Sequence, residues 1–237
     1  MGPLRGIAQR NLQPELMDQP GLDVAEHDRA LRGLARVKWF SRSAAIFWPI
    51  LRELAREQGG SPLRVLDVAC GGGDVTVALV QRARRVRVAL QMAGCDFSDT
   101  ALALARRRAS ETREEIEFFR HDVLKEPLPA RFDAVICSLF LHHLDEPDAI
   151  NVLRSMSQAG QAVLVNDLVR SRRGYLLAVV GTRLLSRSRI VHVDGPMSVE
   201  GAFTPPEALQ LCEQAGLHGT NISRHWPQRF LLTWRRP

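Results

Sequence analysis

Lysine is nearly missing from this chain. Lys38 and Lys125 are the only two among 32 Lys and Arg residues, so the net charge of +6 rests on arginine. Tyrosine occurs once, at Tyr175, and aromatic residues make up only 6% of the 237 residues. A basic stripe interleaved with aromatic rings, the kind that stacks unpaired bases, is therefore absent. No nucleic acid is expected as a partner, and the charge keeps an RNA or protein substrate only as a secondary reading. The arginines fall in clusters, at 82–87, 106–108, 170–173 and 183–189, several of which read as solvated helix faces. No apolar run approaches the ~18–20 residues of a membrane span. The most apolar window, 175–181 with Leu184 and Leu185, is broken by Arg183 and reads as a buried helix or a greasy substrate wall. The four cysteines, at 70, 95, 137 and 212, lack Cys-x-x-Cys spacing, which argues against a zinc site and points to reduced, structural thiols. With no cluster of hard oxygen ligands either, no metal is expected. The first residues carry Arg5 and Arg10 but no apolar core followed by a small-residue cleavage site, so a cytoplasmic location is the expectation.

Apolar residues, at 45%, suffice for one sizeable core. Residues 1–20, rich in Pro, Gly and Gln, read as an arm without regular structure. Helical patterns follow at 22–37 and 43–58, the second carrying Ile46, Trp48, Leu51 and Leu54 and stopping at Gly59 and Gly60. Residues 1–60 are thus read as an arm and helical cap, whose Trp39 and Phe40 either face a substrate or pack the helix pair. Residues 61–237 form the main domain. From about 63 to 168 short apolar runs alternate with helical stretches, which implies an α/β fold with right-handed crossovers and a parallel sheet. Helix 205–215 follows the N-cap candidate Thr204, and the runs 219–225 and 229–234 read as an antiparallel pair. Residues 169–203, inserted after the fifth strand, would overhang the carboxyl ends of the strands and read as a lid.

The most informative segment is Val65 to Asp74, where an apolar run reaches Asp67, Ala69 and Cys70 and then Gly71, Gly72 and Gly73 ahead of a helical pattern. Glycines at that place let bare main chain approach a ligand at a helix N-terminus. Gly71-x-Gly73-x-x leads to Thr76 rather than to the Gly or Ala of a dinucleotide site. A second apolar run ends at Asp96, 29 residues after Asp67, and an acid there can accept both hydroxyls of a ribose. Two further strand ends carry Asp122 with Val123, and Ser138 with Phe140, His142 and His143.

Counted from Asp67, the pattern resembles motif I of the class I S-adenosylmethionine-dependent methyltransferases, with Ala69 in place of the first glycine. The resemblance covers residues 60–168 and is similar to quinone-biosynthesis and secondary-metabolite methyltransferases, including those acting on phenolic polyketides. It implies a Rossmann-like, doubly wound sheet of about seven strands, mostly parallel, whose last strand runs antiparallel. It implies S-adenosyl-L-methionine as cofactor, held by Asp67, Ala69, Cys70, Gly71, Gly73, Asp96 and Ser138. Phe97 would pack on the adenine, and Asp122 with Val123 would lie near its amino group.

Methyl transfer to a hydroxyl needs alignment and gains from a base, for which histidine suits neutral pH. His143 is the first candidate, followed by His142 and His192, with Asp194 orienting one of them. Phe140, Asn166 and Asp194 are candidate acceptor contacts, and Asp167 is a further one. The apolar insertion favours an aromatic or lipid-like small molecule, methylated on oxygen. C-methylation of a quinol-like ring, a macromolecular acceptor and a non-catalytic cofactor-binding protein are the alternatives.

Overall fold

Strand β1 (Leu63–Val68) buries five of its six residues, and β4 (Phe132–Ser138) and β5 (Gly160–Leu168) are buried through their centres. Strands apolar on both sides need cover on both sides. The computed structural model describes residues 7–14, 16, 43–129 and 132–237. Among these, α-helices on both faces of the sheet supply that cover. The remaining elements are α1 (Ser43–Glu57), α2 (Asp74–Arg85), β2 (Leu90–Asp96), α3 (Asp99–Thr112), β3 (Glu117–Arg120), α4 (Glu146–Ala159), α5 (Arg172–Leu185), α6 (Arg189–Gly201), α7 (Pro205–Gln214), β6 (Asn221–His225) and β7 (Arg229–Arg235). A 3-10 turn, Leu141–His143, leads from β4 towards α4.

The seven strands run in the order β3-β2-β1-β4-β5-β7-β6, and every pair is parallel except those made by β7. This is the doubly wound sheet, with its antiparallel C-terminal strand, that the sequence predicts. Alternation along the strands divides the core in two. Val135, Cys137, Val163, Val165, Phe230 and Leu232 face α4 and α7, while Val65, Ala134, Ile136, Leu164 and Leu231 face α1 and α2. The periodic residues of α1, Ile46, Trp48, Leu51 and Leu54, all enter this second layer. Truncating one such leucine to alanine would cost about 2–5 kcal/mol.

Capping sets several helix starts. Ser98 accepts the Ala101 amide, Asp145 accepts the Asp148 amide, and Thr204 and Glu207 form a reciprocal capping box at α7. The long gap between Asp67 and Asp96 is taken up by α2, which runs to Arg85.

One feature differs from the sequence reading. The apolar window at 175–185 is not a buried helix. Its inner side consists of Gly174 and Thr182, and a Cβ on Gly195 of α6 would stand 2.5 Å from Thr182 Cγ2. Because the sheet is already covered, α5 packs on α6 through small residues, and Leu176, Leu177, Val180 and Leu184 stay exposed. The predicted helix 22–37 and the cap residues Trp39 and Phe40 lie outside the described residues. Among the described residues, no helix is long and apolar enough to cross a membrane.

Candidate active site

Strand order reverses between β1 and β4, and in an open α/β sheet the crevice beyond the carboxyl ends at that point receives ligands. The segment after β1 is shaped for close approach. Ala69, Gly71 and Gly73 have φ of 52°, 53° and 70°, and the Gly73 amide closes a turn on the Cys70 carbonyl at 3.0 Å. A Cβ on Gly73 would stand 2.9 Å from Ala105 Cβ, and one on Gly72 would stand 2.8 Å from Leu104 Cδ2. Arg108 reaches from α3 to donate to the Gly72 carbonyl. Asp67 is buried and accepts the Thr76 hydroxyl at 2.6 Å, which ties the end of β1 to α2.

Asp96, at the end of β2, braces the same turn. One carboxylate oxygen accepts the Gly71 amide at 2.8 Å and the other accepts the Ser98 amide at 2.9 Å. A carboxylate has about four acceptor sites, so each oxygen keeps room for a hydroxyl. Next to it Phe97 is 65% exposed, so its ring is not part of the core. Asp122, after β3, pairs with Lys125 at 2.8 Å, and the hydrogen bond from that ammonium holds its carboxyl below the usual aspartate value. Val123 packs partly against the core. Ser138 lines a narrow cleft together with Ser43, Asp67, Ala69, Cys70, Asp74, Val75 and Leu139. The bare glycine turn, the buried carboxylate with spare acceptor sites and the exposed ring suit a nucleoside. Burial pushes the Cys70 thiol up and the Cys95 thiol to about 12, so neither is a nucleophile at neutral pH.

Three residues beyond Leu139 the 3-10 turn presents His142 and His143, their ring centroids 4.2 Å apart. His142 is buried and its Nδ1 lies 2.6 Å from Asp167 Oδ1, while its backbone amide donates to Oδ2 at 3.2 Å. Burial alone would raise the Asp167 carboxyl. The His142 ring, the Leu168 amide and the charge of Arg229 outweigh it and hold the group below its ordinary value. An ionised carboxylate accepts, so Nδ1 carries a proton, and in the neutral ring it is then Nε2 that holds the lone pair. His142 and His143 wall a cleft of about 390 Å³ with Leu12, Gln13, Pro14, Met197, Ser198 and Gly201. That size falls in the range of small-molecule sites.

Residues 7–14 lack regular structure, yet they are tied down over this cleft. Arg10 donates to the carbonyls of Gly201 (2.6 Å), His142 (3.3 Å) and Leu144, and its guanidinium lies 3.8 Å from the Phe203 ring centroid. Burial lowers its pKa. Arg170 holds the Ile7 carbonyl at 3.2 Å and forks onto Glu207 at 2.9 and 2.6 Å.

The structure therefore brings together Asp67, Ala69, Cys70, Gly71, Gly73 and Asp96 around the turn, with Ser138 across the cleft. His142 and His143 stand beside the second cleft. Other candidates have different surroundings. His192 Nε2 donates to the Ser186 carbonyl at 2.8 Å within the 169–203 insertion. Asp194 accepts the Leu16 amide at 2.9 Å, and the carboxylate that orients a histidine is Asp167. Phe140 packs against the main core. Asn166 is fully buried, where it donates to Ser43 Oγ at 3.1 Å and Ser138 Oγ at 3.2 Å. Among the described residues no three His, Cys, Asp or Glu side chains converge as metal ligands. Sequence reading missed Arg10, for which it holds no signal. It also missed the His142 and Asp167 pairing, for which the adjacency of β4 and β5 is the signal.

Residues 65–161 match the family model described as a methyltransferase domain. The ubiquinone biosynthesis O-methyltransferase of Azoarcus sp. is 29% identical over 206 residues, covering 80% of this chain and 84% of that protein. The protein of the same name from Azotobacter vinelandii is 31% identical over 187 residues, covering 73% and 78%. Among solved structures, the S-adenosylmethionine-dependent methyltransferase SibL in its apo form has the same fold, with a TM-score of 0.64 at 21% identity. The match covers 98% of this chain and 65% of that longer one.

Proposed function

The chain belongs to the S-adenosylmethionine-dependent methyltransferases, and from that premise we propose that it methylates oxygen on a small, largely apolar or aromatic acceptor such as a phenol or quinol. The donor would be held by the Gly71 to Gly73 main chain, with Asp96 on the ribose, Phe97 against the adenine and Asp122 near the adenine amino group. Bound there, it supplies an electrophilic methyl group to an aligned nucleophile. The observation that carries the choice of oxygen is the pairing of His142 with Asp167 beside the 390 Å³ cleft. With Nδ1 engaged, Nε2 of His142 takes the proton of the acceptor hydroxyl, and Asp167 stabilises the imidazolium that results. A base of this kind contributes typically about 10²–10⁴-fold to a proton-coupled step. This reading ranks His142 ahead of His143, whose ring is exposed. C-methylation of an electron-rich ring needs less help from a base, so the dyad favours oxygen over carbon. The scarcity of exposed aromatic rings supports a small acceptor over nucleic acid. Four buried, unpaired cysteines suit the reducing cytoplasm.

Calorimetry with S-adenosylmethionine, S-adenosylhomocysteine and NAD, followed by a radiolabelled methyl screen of phenols, quinols and short RNAs, tests the proposal. Tight binding of the first two ligands and label in a phenol or quinol are expected. Preference for NAD, or label only in RNA, would overturn it.

A further inference from the structure

The guanidinium of Arg10 meets pieces of chain that are far apart in sequence. Its Nε donates at 2.6 Å to the carbonyl of Gly201, the last residue of α6, and its Nη2 donates to the carbonyls of His142 and Leu144 in the turn that carries the histidines. The last carbonyls of a helix have no partner within it and form the negative end of its dipole, so Arg10 brings both a donor and a positive charge to the end of α6. His142 is held from two sides. Asp167 takes its ring and its backbone amide, and Arg10 takes its carbonyl. A guanidinium is planar and its donors are fixed relative to one another, so displacing one of these carbonyls disturbs the others.

The contacts continue along the arm. The Asn11 amide donates to the Glu200 carbonyl at 3.1 Å, and its side-chain amide donates to Glu200 Oε2 at 3.2 Å. These bonds, together with Arg10, hold Leu12, Gln13 and Pro14 in the wall of the cleft that His142 also lines. The arm, the end of α6 and the turn bearing the base are thereby joined at one side chain.

We infer that Arg10 is a positioning residue for His142, and that the arm it anchors selects the acceptor through Leu12, Gln13 and Pro14. Seating the arm completes the cleft and, through the His142 carbonyl, sets the imidazole relative to it. The acceptor and the base are then aligned by the same contact. Leu12 and Pro14 are apolar, so this wall favours a ring with an alkyl substituent. The inference deepens the proposed function and rests on it.

The test is steady-state kinetics of the full chain with S-adenosylmethionine and a series of alkyl-substituted phenols and catechols, alongside NMR of the histidine ring N–H groups. Arg10→Met should lower kcat on weakly acidic acceptors by up to about 100-fold, with a smaller loss on phenols already ionised at the assay pH and with donor affinity unchanged. Arg10→Lys, which keeps the charge and three donors, should recover part of that loss. Leu12→Ala should act mainly on KM, raising it about tenfold for alkyl-substituted acceptors. Asn11→Asp sets a carboxylate beside Glu200 and should raise the same KM, which keeps the inference testable if Arg10→Met does not fold. The Nδ1 proton of His142 should give a sharp signal in wild type and a broadened one in Arg10→Met. Wild-type kcat in Arg10→Met on a weakly acidic acceptor, an equal loss across the phenol series, an unchanged His142 signal, or a wild-type KM in both Leu12→Ala and Asn11→Asp would overturn the inference and leave the proposed function standing. Methyl transfer to no phenol or quinol would sink the proposed function, and the His142 signal would still report whether Arg10 sets the ring.

Discussion

Replacing Asp167 by Asn changes one atom at the point where the proposed chemistry is set. Three donors converge on this buried carboxylate. His142 Nδ1 and the Leu168 amide both reach Oδ1 at 2.6 Å, and the His142 amide reaches Oδ2 at 3.2 Å. A carboxamide keeps a single oxygen. If that oxygen takes the Oδ1 place, the His142 amide faces an NH2 group and loses its acceptor. In the opposite orientation the Leu168 amide loses its acceptor, and the ring must present a bare Nδ1, which moves the proton to Nε2 where the lone pair is needed. Either way a buried donor goes unpaired, at about 1–3 kcal/mol of stability. In both arrangements the imidazolium also loses its anionic neighbour. The expected result is a kcat lower by about 10²–10⁴-fold for a weakly acidic hydroxyl, with donor affinity unchanged. The loss should shrink for phenols already ionised at the assay pH, because they need no base. Steady-state kinetics over a series of substituted phenols, with calorimetry of the donor, reads both quantities. Wild-type kcat on a weakly acidic acceptor would refute the reasoning, and an equal loss across the series would point to a collapsed site instead.

Asp96→Ala removes the acceptor of the Gly71 and Ser98 amides and the proposed ribose contact, so donor affinity should fall by about 1–3 kcal/mol. Calorimetry checks this, and an unchanged value removes Asp96 from the site. Gly73→Ala puts a Cβ 2.9 Å from Ala105 Cβ at a φ of 70°, which costs at least about 1–2 kcal/mol of strain. Scanning calorimetry should show a lower midpoint and little shift on adding donor, whereas a wild-type thermogram would contradict the packing described. The depressed Asp167 carboxyl stabilises the fold fully above the ordinary aspartate value near 4. This contribution drains away as the pH falls through the folded value. Urea unfolding of wild type and Asp167→Asn should therefore converge on acidification, and a widening gap would reverse the assigned sign.

The sheet was legible because its signals are local. Runs such as Phe132–Ser138 state their own burial, and the Gly71 to Gly73 turn follows directly after the acidic end of β1. The pairing of β6 with β7 followed from the short Pro227–Gln228 turn, whereas the antiparallel run of the last strand within the sheet was implied by the family resemblance. Contacts between distant segments were not legible. Asp167 lies 25 residues from His142, and only the β4–β5 pairing brings their ends together. Sequence proximity favoured Asp194 as the partner of a histidine, but its position on α6 turns it to the Leu16 amide. Apolar content suggested that α5 is a buried helix or a substrate wall. Content does not say which side of a helix meets its neighbour, and here the small residues Gly174 and Thr182 do. Arg10 carries no motif, since it acts on main-chain carbonyls that any sequence would offer.

The most direct measurement uses donor labelled with ¹³C on its transferable methyl and a catechol acceptor, with the product read by NMR. The account predicts a single labelled methoxy carbon, formed by wild type and strongly reduced in His142→Ala. Label bonded to a ring carbon, or a His142→Ala protein that forms the methoxy product at the wild-type rate, would contradict it.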